Sequence, residues 1–154
     1  MSTEIIAWEG SLLNAEIAEG IAIFLPVGLT EIRPDGEKFF TRASGKMPSG
    51  ARSDAPAKPG TGLLKHLILI DNQIREITGI EDMRSQIIEV LDTFAELKLK
   101  SAAMNGIRCD DRPDQNVRPE EYQRKFVEEY LAGHPDAFDK ISLVDAYGGF
   151  GETD

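Results

Sequence analysis

The residues best suited to ligand chemistry lie in the stretch KSAAMNGIRCDDRP, residues 100–113. Its run of small and apolar residues ends at Asn105, Gly106, Ile107 and Arg108. Gly106 permits a close approach of the backbone to a phosphate or a left-handed turn, and the Arg108 guanidinium can bind a phosphate through two hydrogen bonds. The alternative is an ordinary turn, in which the glycine allows the backbone conformation of the turn and the arginine faces solvent. The pattern therefore predicts either an anion site or a simple turn.

A second group of candidate residues lies in the segment 43–62, which is rich in Gly, Pro, Ser and Ala. Between Arg42 and Lys65 the chain has five basic residues and a single acid, Asp54. Such a basic segment on an acidic protein can attract a small phosphorylated ligand, and the alternative is a solvated flexible loop. It is not a Walker loop, because the Gly-Lys-Ser/Thr sequence is absent. We expect residues 45–62 to form a loop without regular structure that shares a cleft with residues 105–108.

Other reactive side chains have simpler interpretations. Cys109 precedes Asp110 and Asp111, whose charges disfavour a thiolate, so an inert thiol is expected. His66 stands in an apolar run, where a hydrogen-bonded structural imidazole is favoured over a catalytic base. Together with Asp114, the two aspartates form a solvated acidic loop rather than a recognised site for a divalent ion. No catalytic residue, metal ligand or cofactor is therefore assigned.

The elements that must position these residues begin with two strands. Residues 3–8 form a short strand, residues 12–17 are ambiguous, and residues 21–25 form an apolar strand buried on both faces. Residues 33–36, Arg-Pro-Asp-Gly, predict a turn that leads to an edge-like strand at residues 38–41. The first part of the chain thus predicts strands joined by turns.

After residue 62 the pattern alternates between strands and helices. Strands are predicted at 63–70, 100–104 and 141–146, and helices at 80–97 and 119–131, where apolar residues recur at helical spacing. Right-handed crossovers then place the strands in parallel with helices packed on the sheet. The expected fold class is α/β.

Several of these stretches resemble the macro-domain family. The sequence MPSGA at residues 47–51, followed by the strand at 63–70, is similar to the family's Pro-Thr/Ser-Gly-x-Ala loop and the strand after it. Residues 98–104, a glycine-containing loop and the helix beginning at Pro119 resemble the strand, ligand-cradling loop and final helix of that family. Residues 134–145 resemble its last helix-to-strand passage. The resemblance implies a three-layer α/β/α sandwich with a mixed, largely parallel central sheet.

The resemblance also implies a ligand, because many macro domains bind ADP-ribose and some remove it from proteins or metabolites. The residues expected to contact it are Gly28, Gly50, Ala51, Asn105, Gly106, Ile107 and Arg108. Two motifs depart from the family. Residues 9–12, Glu-Gly-Ser-Leu, stand where the family has Gly-Asp-Ile-Thr with an adenine-binding Asp, and residues 26–29, Pro-Val-Gly-Leu, stand in place of Asn-Ala-Ala-Asn.

Composition limits the remaining possibilities. The 154 residues fit one domain, residues 1–154, ending in an acidic tail at 151–154. A net charge of -10 disfavours nucleic acid as a partner, no apolar run is long enough to span a membrane, and the lack of a leader sequence suggests the cytoplasm. No oligomeric state is predicted.

The aromatic residues of segment 147–151 either lie over an adenine or cap the core.

The leading hypothesis is a divergent macro-domain-like module that binds ADP-ribose or a related nucleotide. The alternative is a non-catalytic interaction or structural protein that has the fold without the nucleotide pocket. A third hypothesis, hydrolysis of ADP-ribose linkages, ranks last because the family's asparagines are missing and no replacement base is evident.

Overall fold

Six strands and three helices make up the part of the chain that the computed structural model describes, residues 3–26, 32–145 and 149–150. The strands are β1 (Glu4–Glu9), β2 (Gly20–Leu25), β3 (Arg52–Pro56), β4 (His66–Asp71), β5 (Ser101–Asn105) and β6 (Lys140–Asp145). The helices are α1 (Ile32–Ser44), α2 (Ile80–Glu96) and α3 (Pro119–Gly133). Seven elements agree with the sequence prediction to within three residues at each end, whereas α1 and β3 do not.

All six strands join in one sheet, in the order β1-β6-β5-β2-β4-β3. Every neighbouring pair is parallel except β3 and β4, which are antiparallel. Strand β2 pairs with β4 along its whole length, but its pairing with β5 extends only from Gly20 to Ala22. The predicted mixed, largely parallel sheet is confirmed.

Helices cover both faces of the sheet, which makes the fold a three-layer α/β/α sandwich. Helix α1 packs Phe39, Phe40 and Ala43 on one face, over β2 and β4. Helices α2 and α3 pack side by side on the other face. Successive residues of β2 alternate between these two cores, with Ile23 in one and Phe24 in the other. This explains why β2 is a continuous apolar run.

Helix α1 occupies residues for which the sequence predicts a turn and a short strand, so that prediction is wrong. Pro34 suits the first turn of a helix, because the backbone N–H groups there have no partner within the helix and the N–H that proline lacks is not needed. Asp35 also suits the first turn, because its negative charge is stabilised by the positive end of the helix dipole. Gly36 allows close packing. A Cβ atom there would lie 3.1 Å from Leu25 Cδ2 and 3.2 Å from Ile23 Cγ2. These turn-forming residues thus begin a helix that lies tightly on β2.

Strand β3 lies within the segment 43–62, and there the prediction of a loop without regular structure is wrong. The strand pairs along its length with β4 and buries Ala55. Beyond it the chain returns to α1, where Lys58 N donates a hydrogen bond of 2.8 Å to Ala43 O. Only one of the five side chains of β3 is buried, so local hydrophobicity gives little signal for this strand.

The predicted acidic tail, residues 151–154, lies outside the described residues. Within the described ranges, none of the three helices combines the length and apolar character needed to cross a membrane.

Candidate functional site

A cleft of about 770 Å³ opens at the carboxyl ends of four neighbouring strands, β1, β6, β5 and β2. Ligands of open α/β sheets bind at this edge, and the volume falls within the usual range for small-molecule pockets, about 300–1,000 Å³. Helix α1 borders the cleft on one side of the sheet and α3 on the other. We call this cleft the carboxyl-end cleft. The residues that line it include Ser11, Pro26, Asp35, Arg108, Glu120 and Asp145.

The side chain of Asn105 connects β5 to β2 just past the point where their pairing ends. The two strands are in register only as far as Ala22 and Met104. Beyond these residues, Phe24 N donates a 2.7 Å hydrogen bond to Asn105 Oδ1, and Asn105 Nδ2 donates a 2.9 Å bond to Phe24 O. The side-chain amide thus takes the place of a peptide group on the neighbouring strand. Because a side chain fills this gap, the two strands separate towards the cleft.

Gln123 of α3 fixes the chain that leaves β5. Its Nε2 donates a 2.8 Å hydrogen bond to Asn105 O, and Ile107 N donates a 2.7 Å bond to its Oε1. Gln123 is fully buried, so both bonds are shielded from water. Gln123 is not among the site residues predicted from the sequence. The available signal was its helical spacing from Phe126 and Val127, which places a polar residue on the buried face of α3.

Arg108 has the most accessible side chain in the predicted turn. Its side chain is 61% exposed, and its Nε lies 3.6 Å from Asp110 Oδ1. Ile107, in contrast, is buried in the core. Gly106 does not adopt a left-handed conformation, and a Cβ there would meet the Phe150 ring at an ordinary distance of 3.8 Å. The fold therefore does not itself require glycine at position 106.

Arg112 has a different role in the same loop between β5 and α3. Its guanidinium donates hydrogen bonds to three backbone carbonyl oxygens, those of Cys109 (2.6 Å), Gln115 (3.1 Å) and Val117 (2.8 Å). Arg112 thus holds the loop in shape, whereas Arg108 has a mostly exposed side chain and is one of the residues that line the carboxyl-end cleft.

Carboxylates lie at both ends of the cleft. Glu120 and Asp145 stand where β1, β6 and α3 meet, and Gly149 N donates a 2.8 Å hydrogen bond to Asp145 Oδ2. Asp35 stands at the other end, on α1 beside β2. Arg108 follows β5, the strand between these two ends. Along the cleft the charges therefore run negative, positive, negative.

An ion pair anchors the α1 end of the cleft. Arg33 donates two 3.0 Å hydrogen bonds to the carboxylate of Asp71 and a 2.7 Å bond to Pro26 O. Burial is the largest single influence and acts to raise the pKa of Asp71. The hydrogen bonds and charge of Arg33, together with hydrogen bonds from the backbone N–H groups of Gln73 and Ile74, outweigh burial and hold that pKa below its usual value. The pair ties the ends of β2 and β4 to α1.

Two of the residues predicted to contact a ligand, Gly50 and Ala51, do not line the cleft. Gly28 lies outside the described residues. Gly50 has a left-handed φ of 74°, and Ala51 O accepts a 2.9 Å hydrogen bond from Asp71 N. Both precede β3, the strand at the far edge of the sheet from β1. The expectation that residues 45–62 form one wall of the cleft is therefore wrong, since none of them lines it.

The other reactive side chains, those of Cys109 and His66, do not line the cleft. Burial raises the pKa of the Cys109 thiol, and the His66 ring meets Phe94 edge-on, with 6.3 Å between ring centroids. Across the described ranges, His, Cys, Asp and Glu nowhere form a group of three suited to a metal ion.

Phe150 packs in the core beside Gly106, and its carbonyl oxygen accepts a 3.1 Å hydrogen bond from Arg124. For Phe150 the interpretation as a cap on the core is confirmed. Tyr147, the other aromatic residue of this segment, lies outside the described residues.

Comparison with known proteins gives similarity at the level of structure. No protein-family model and no curated protein sequence matches this chain. A macrodomain of Trypanosoma brucei superposes with a TM-score of 0.68 and 10% identity, over 96% of this chain and 65% of that chain. The same protein solved with ADP-ribose gives a TM-score of 0.65 and 10% identity, over 93% and 64% of the two chains.

The macrodomain of Mycobacterium tuberculosis DarG gives a TM-score of 0.61 and 17% identity, over 92% of this chain and 97% of that chain. This chain thus spans slightly less than two thirds of the trypanosome structures and nearly the whole DarG macrodomain. At these identities the similarity shows the fold, which is that of a macrodomain.

Proposed function

We propose that this chain, which has the macrodomain fold, binds ADP-ribose or a related nucleoside diphosphate in the carboxyl-end cleft. The observation that carries the proposal is the order of charges along the cleft. Carboxylates stand at the two ends, in Glu120 and Asp35, and Arg108 stands between them.

This order of charges complements a diphosphate that has a nucleoside on one side and a sugar on the other. The central phosphates pair with the guanidinium of Arg108, whose side chain is 61% exposed and whose contact with Asp110 is a long one, 3.6 Å from Nε to Oδ1. The hydroxyl and amine groups at the two ends donate hydrogen bonds to Glu120 and Asp35, since ionised carboxylates only accept them. A ligand that ends in phosphate can pair with Arg108 but reaches only one of the two carboxylate ends of the cleft.

The dimensions of the cleft support an elongated ligand. The four strand ends that border it span about 14 Å at the usual spacing of neighbouring strands. The same fold has been solved with ADP and with ADP-ribose in the trypanosome protein. The proposal assigns binding to this site and no bond-breaking step.

The alternative function, an interaction protein with a filled pocket, finds no support in Phe150. That side chain is buried in the core and is absent from the lining of the open cleft. Leu29, the other residue considered as a filler, lies outside the described residues.

Calorimetric titration with ADP-ribose, ADP, AMP and ribose 5-phosphate tests the proposal. We expect ADP-ribose to bind with a dissociation constant below about 1 mM and more tightly than AMP or ribose 5-phosphate, because each of these reaches only one end of the cleft. Ser11→Trp, which places a large side chain in the cleft, should abolish the heat. Ser85→Trp, on the exposed face of α2, should leave it unchanged.

Circular dichroism must show that each variant is folded. The proposal is wrong if the folded wild-type chain shows neither heat nor a thermal shift with millimolar ADP-ribose and ADP. It is also wrong if the two Trp variants bind ADP-ribose equally well.

A further inference from the structure

Strand β1 is an open edge of the sheet, because it pairs with β6 on one side and no described strand pairs with its other side. The N–H groups of Glu4 and Gly10 donate hydrogen bonds towards β6. Bonding groups alternate along a strand, so the N–H and C=O groups of Ile5, Ala7 and Glu9 point to the open side. They form the main-chain part of what we call the β1 edge, residues 4–9.

An apolar side chain lies beside these free main-chain groups. Ile5 packs on the core under α2 and α3, so Trp8, three residues along the strand, faces the opposite side of the sheet. Helix α1 covers β2 and β4 on that side rather than β1. Trp8 accordingly remains 38% exposed. The β1 edge therefore offers backbone hydrogen bonds together with an accessible aromatic ring.

The other edge of the sheet, β3, carries features that hinder the addition of a strand. Pro56 has no N–H to offer, and Arg52 and Asp54 form an ion pair of 2.9 Å on the strand. In β1 the charges are confined to the two ends, at Glu4 and Glu9. Only one edge of the described sheet is thus open to pairing.

We propose that the β1 edge binds an extended segment of another protein, which adds to the sheet as a seventh strand. The segment has apolar residues that alternate with polar ones, and a Lys or Arg near each end. These cations pair with Glu4 and Glu9 and suit the net charge of -10. A second copy of this chain fits less well, because β1 contains no basic residue and both copies carry the same charge.

Fluorescence anisotropy at low salt tests the proposal with the labelled peptide Lys-Thr-Val-Thr-Val-Lys, whose two Lys side chains point to opposite faces of the strand, as those of Glu4 and Glu9 do. We expect this peptide to bind at least about tenfold more tightly than the same peptide with Glu at both ends. A version with alternate amides N-methylated keeps the side chains but loses main-chain donors, so it should not bind.

Variants at Ala7 separate strand addition from non-specific attraction. Ala7→Pro removes an outward N–H but keeps the hydrogen bonds to β6, so the sheet is retained while binding falls by at least about tenfold. Ala7→Val keeps the N–H and should bind like the wild type. Should Ala7→Pro fail to fold, Glu4→Lys combined with Glu9→Lys provides the test, since both residues are exposed and the change should reverse the charge preference.

Several outcomes would overturn the proposal. These are no binding of the basic peptide at about 1 mM, equal binding of both charge forms, or equal binding by a folded Ala7→Pro variant. Analytical ultracentrifugation adds one more. A dimer that Ala7→Pro dissociates would identify a second copy as the occupant of the β1 edge.

Discussion

The side-chain amide of Asn105 and the main chain of Phe24 exchange two hydrogen bonds, of 2.7 and 2.9 Å, between β5 and β2. Both residues are buried, and the bonds lie directly below the carboxyl-end cleft. The amide of Asn105 is therefore committed to holding the strands. The proposed function therefore assigns direct ligand contact in this part of the chain to the backbone and to Arg108.

Asn105→Ala should lower the free energy of unfolding by about 2–4 kcal/mol, because it leaves a buried N–H and a buried C=O of Phe24 without partners. Urea denaturation measures the loss. Asn14→Ala is the matched control, since Asn14 accepts a single bond from Glu16 N on the surface, and should cost no more than about 1 kcal/mol. If both variants lose the same free energy of unfolding, the Asn105–Phe24 hydrogen bonds stabilise the fold no more than a surface hydrogen bond does.

The two arginines of the loop between β5 and α3 should separate binding from stability. Arg108→Ala is expected to weaken ADP-ribose binding by about 1–3 kcal/mol, with less than about 0.5 kcal/mol change in stability. Arg112→Ala removes three hydrogen bonds to backbone carbonyls and should lower the melting temperature. Calorimetry and thermal denaturation measure the two effects.

If Arg108→Ala lowers stability while ADP-ribose binding is unchanged, Arg108 is a structural residue and residues 105–108 are only a turn. Arg108→Lys is the conservative control. It retains the charge but loses the planar two-bond geometry, so it should recover part of the affinity.

The Arg33–Asp71 pair should appear in the acid limb of the stability curve. The pKa of Asp71 is lower in the folded chain than its unfolded value of about 3.9, so the unfolded chain takes up the proton more readily. The stabilisation is complete above that unfolded value and is lost as the pH falls through the folded pKa. Asp71→Asn should cost roughly 2 kcal/mol at pH 7 and flatten the curve below about pH 4.

Denaturation at several pH values measures this effect. Glu128→Gln, which changes an exposed carboxylate of α3, is the control and should leave the acid limb nearly as it is. An acid limb of unchanged slope in Asp71→Asn would contradict the assignment.

Gly36→Ala should destabilise the fold by about 1 kcal/mol. The new Cβ would press on Leu25 and Ile23, which are fully buried, and this crowding outweighs the gain in helix propensity. Gly133→Ala, at the end of α3 with open space around it, should be neutral or stabilising by up to about 1 kcal/mol. A stabilising Gly36→Ala variant would show that α1 can shift on β2 without cost.

The parts of the fold that depend on local sequence pattern can be predicted from the sequence. The apolar runs of β2 and β4 and the helical periodicity of α2 are sufficient to predict these three elements. Each segment is buried in the structure in the way that its sequence pattern indicates. The position of residues 105–108 at the carboxyl end of a central strand also follows from the order of elements. Gly106 and Arg108 line the cleft, whereas ligand contact by either residue stays a prediction.

Features that depend on distant residues are not predictable in this way. The Arg-Pro-Asp-Gly sequence has the local preference of a turn, and packing against Ile23 and Leu25 turns it into the start of α1. Strand β3 exists because β4 lies beside it. The Asn105–Phe24 pair depends on the register of strands 81 residues apart in the chain, which no local pattern contains.

The pairing of β1 with β6 also has a consequence for how the protein is made. Glu4 lies opposite Lys140, so β1, the first strand of the described chain, can pair with β6 only after β6, the last strand, has been synthesised. At translation rates of about 5–20 residues per second, this delay is on the order of ten seconds. Both sides of β1 are unpaired during that interval, and the nascent chain then relies on Glu4 and Glu9 to discourage association with other unfinished chains.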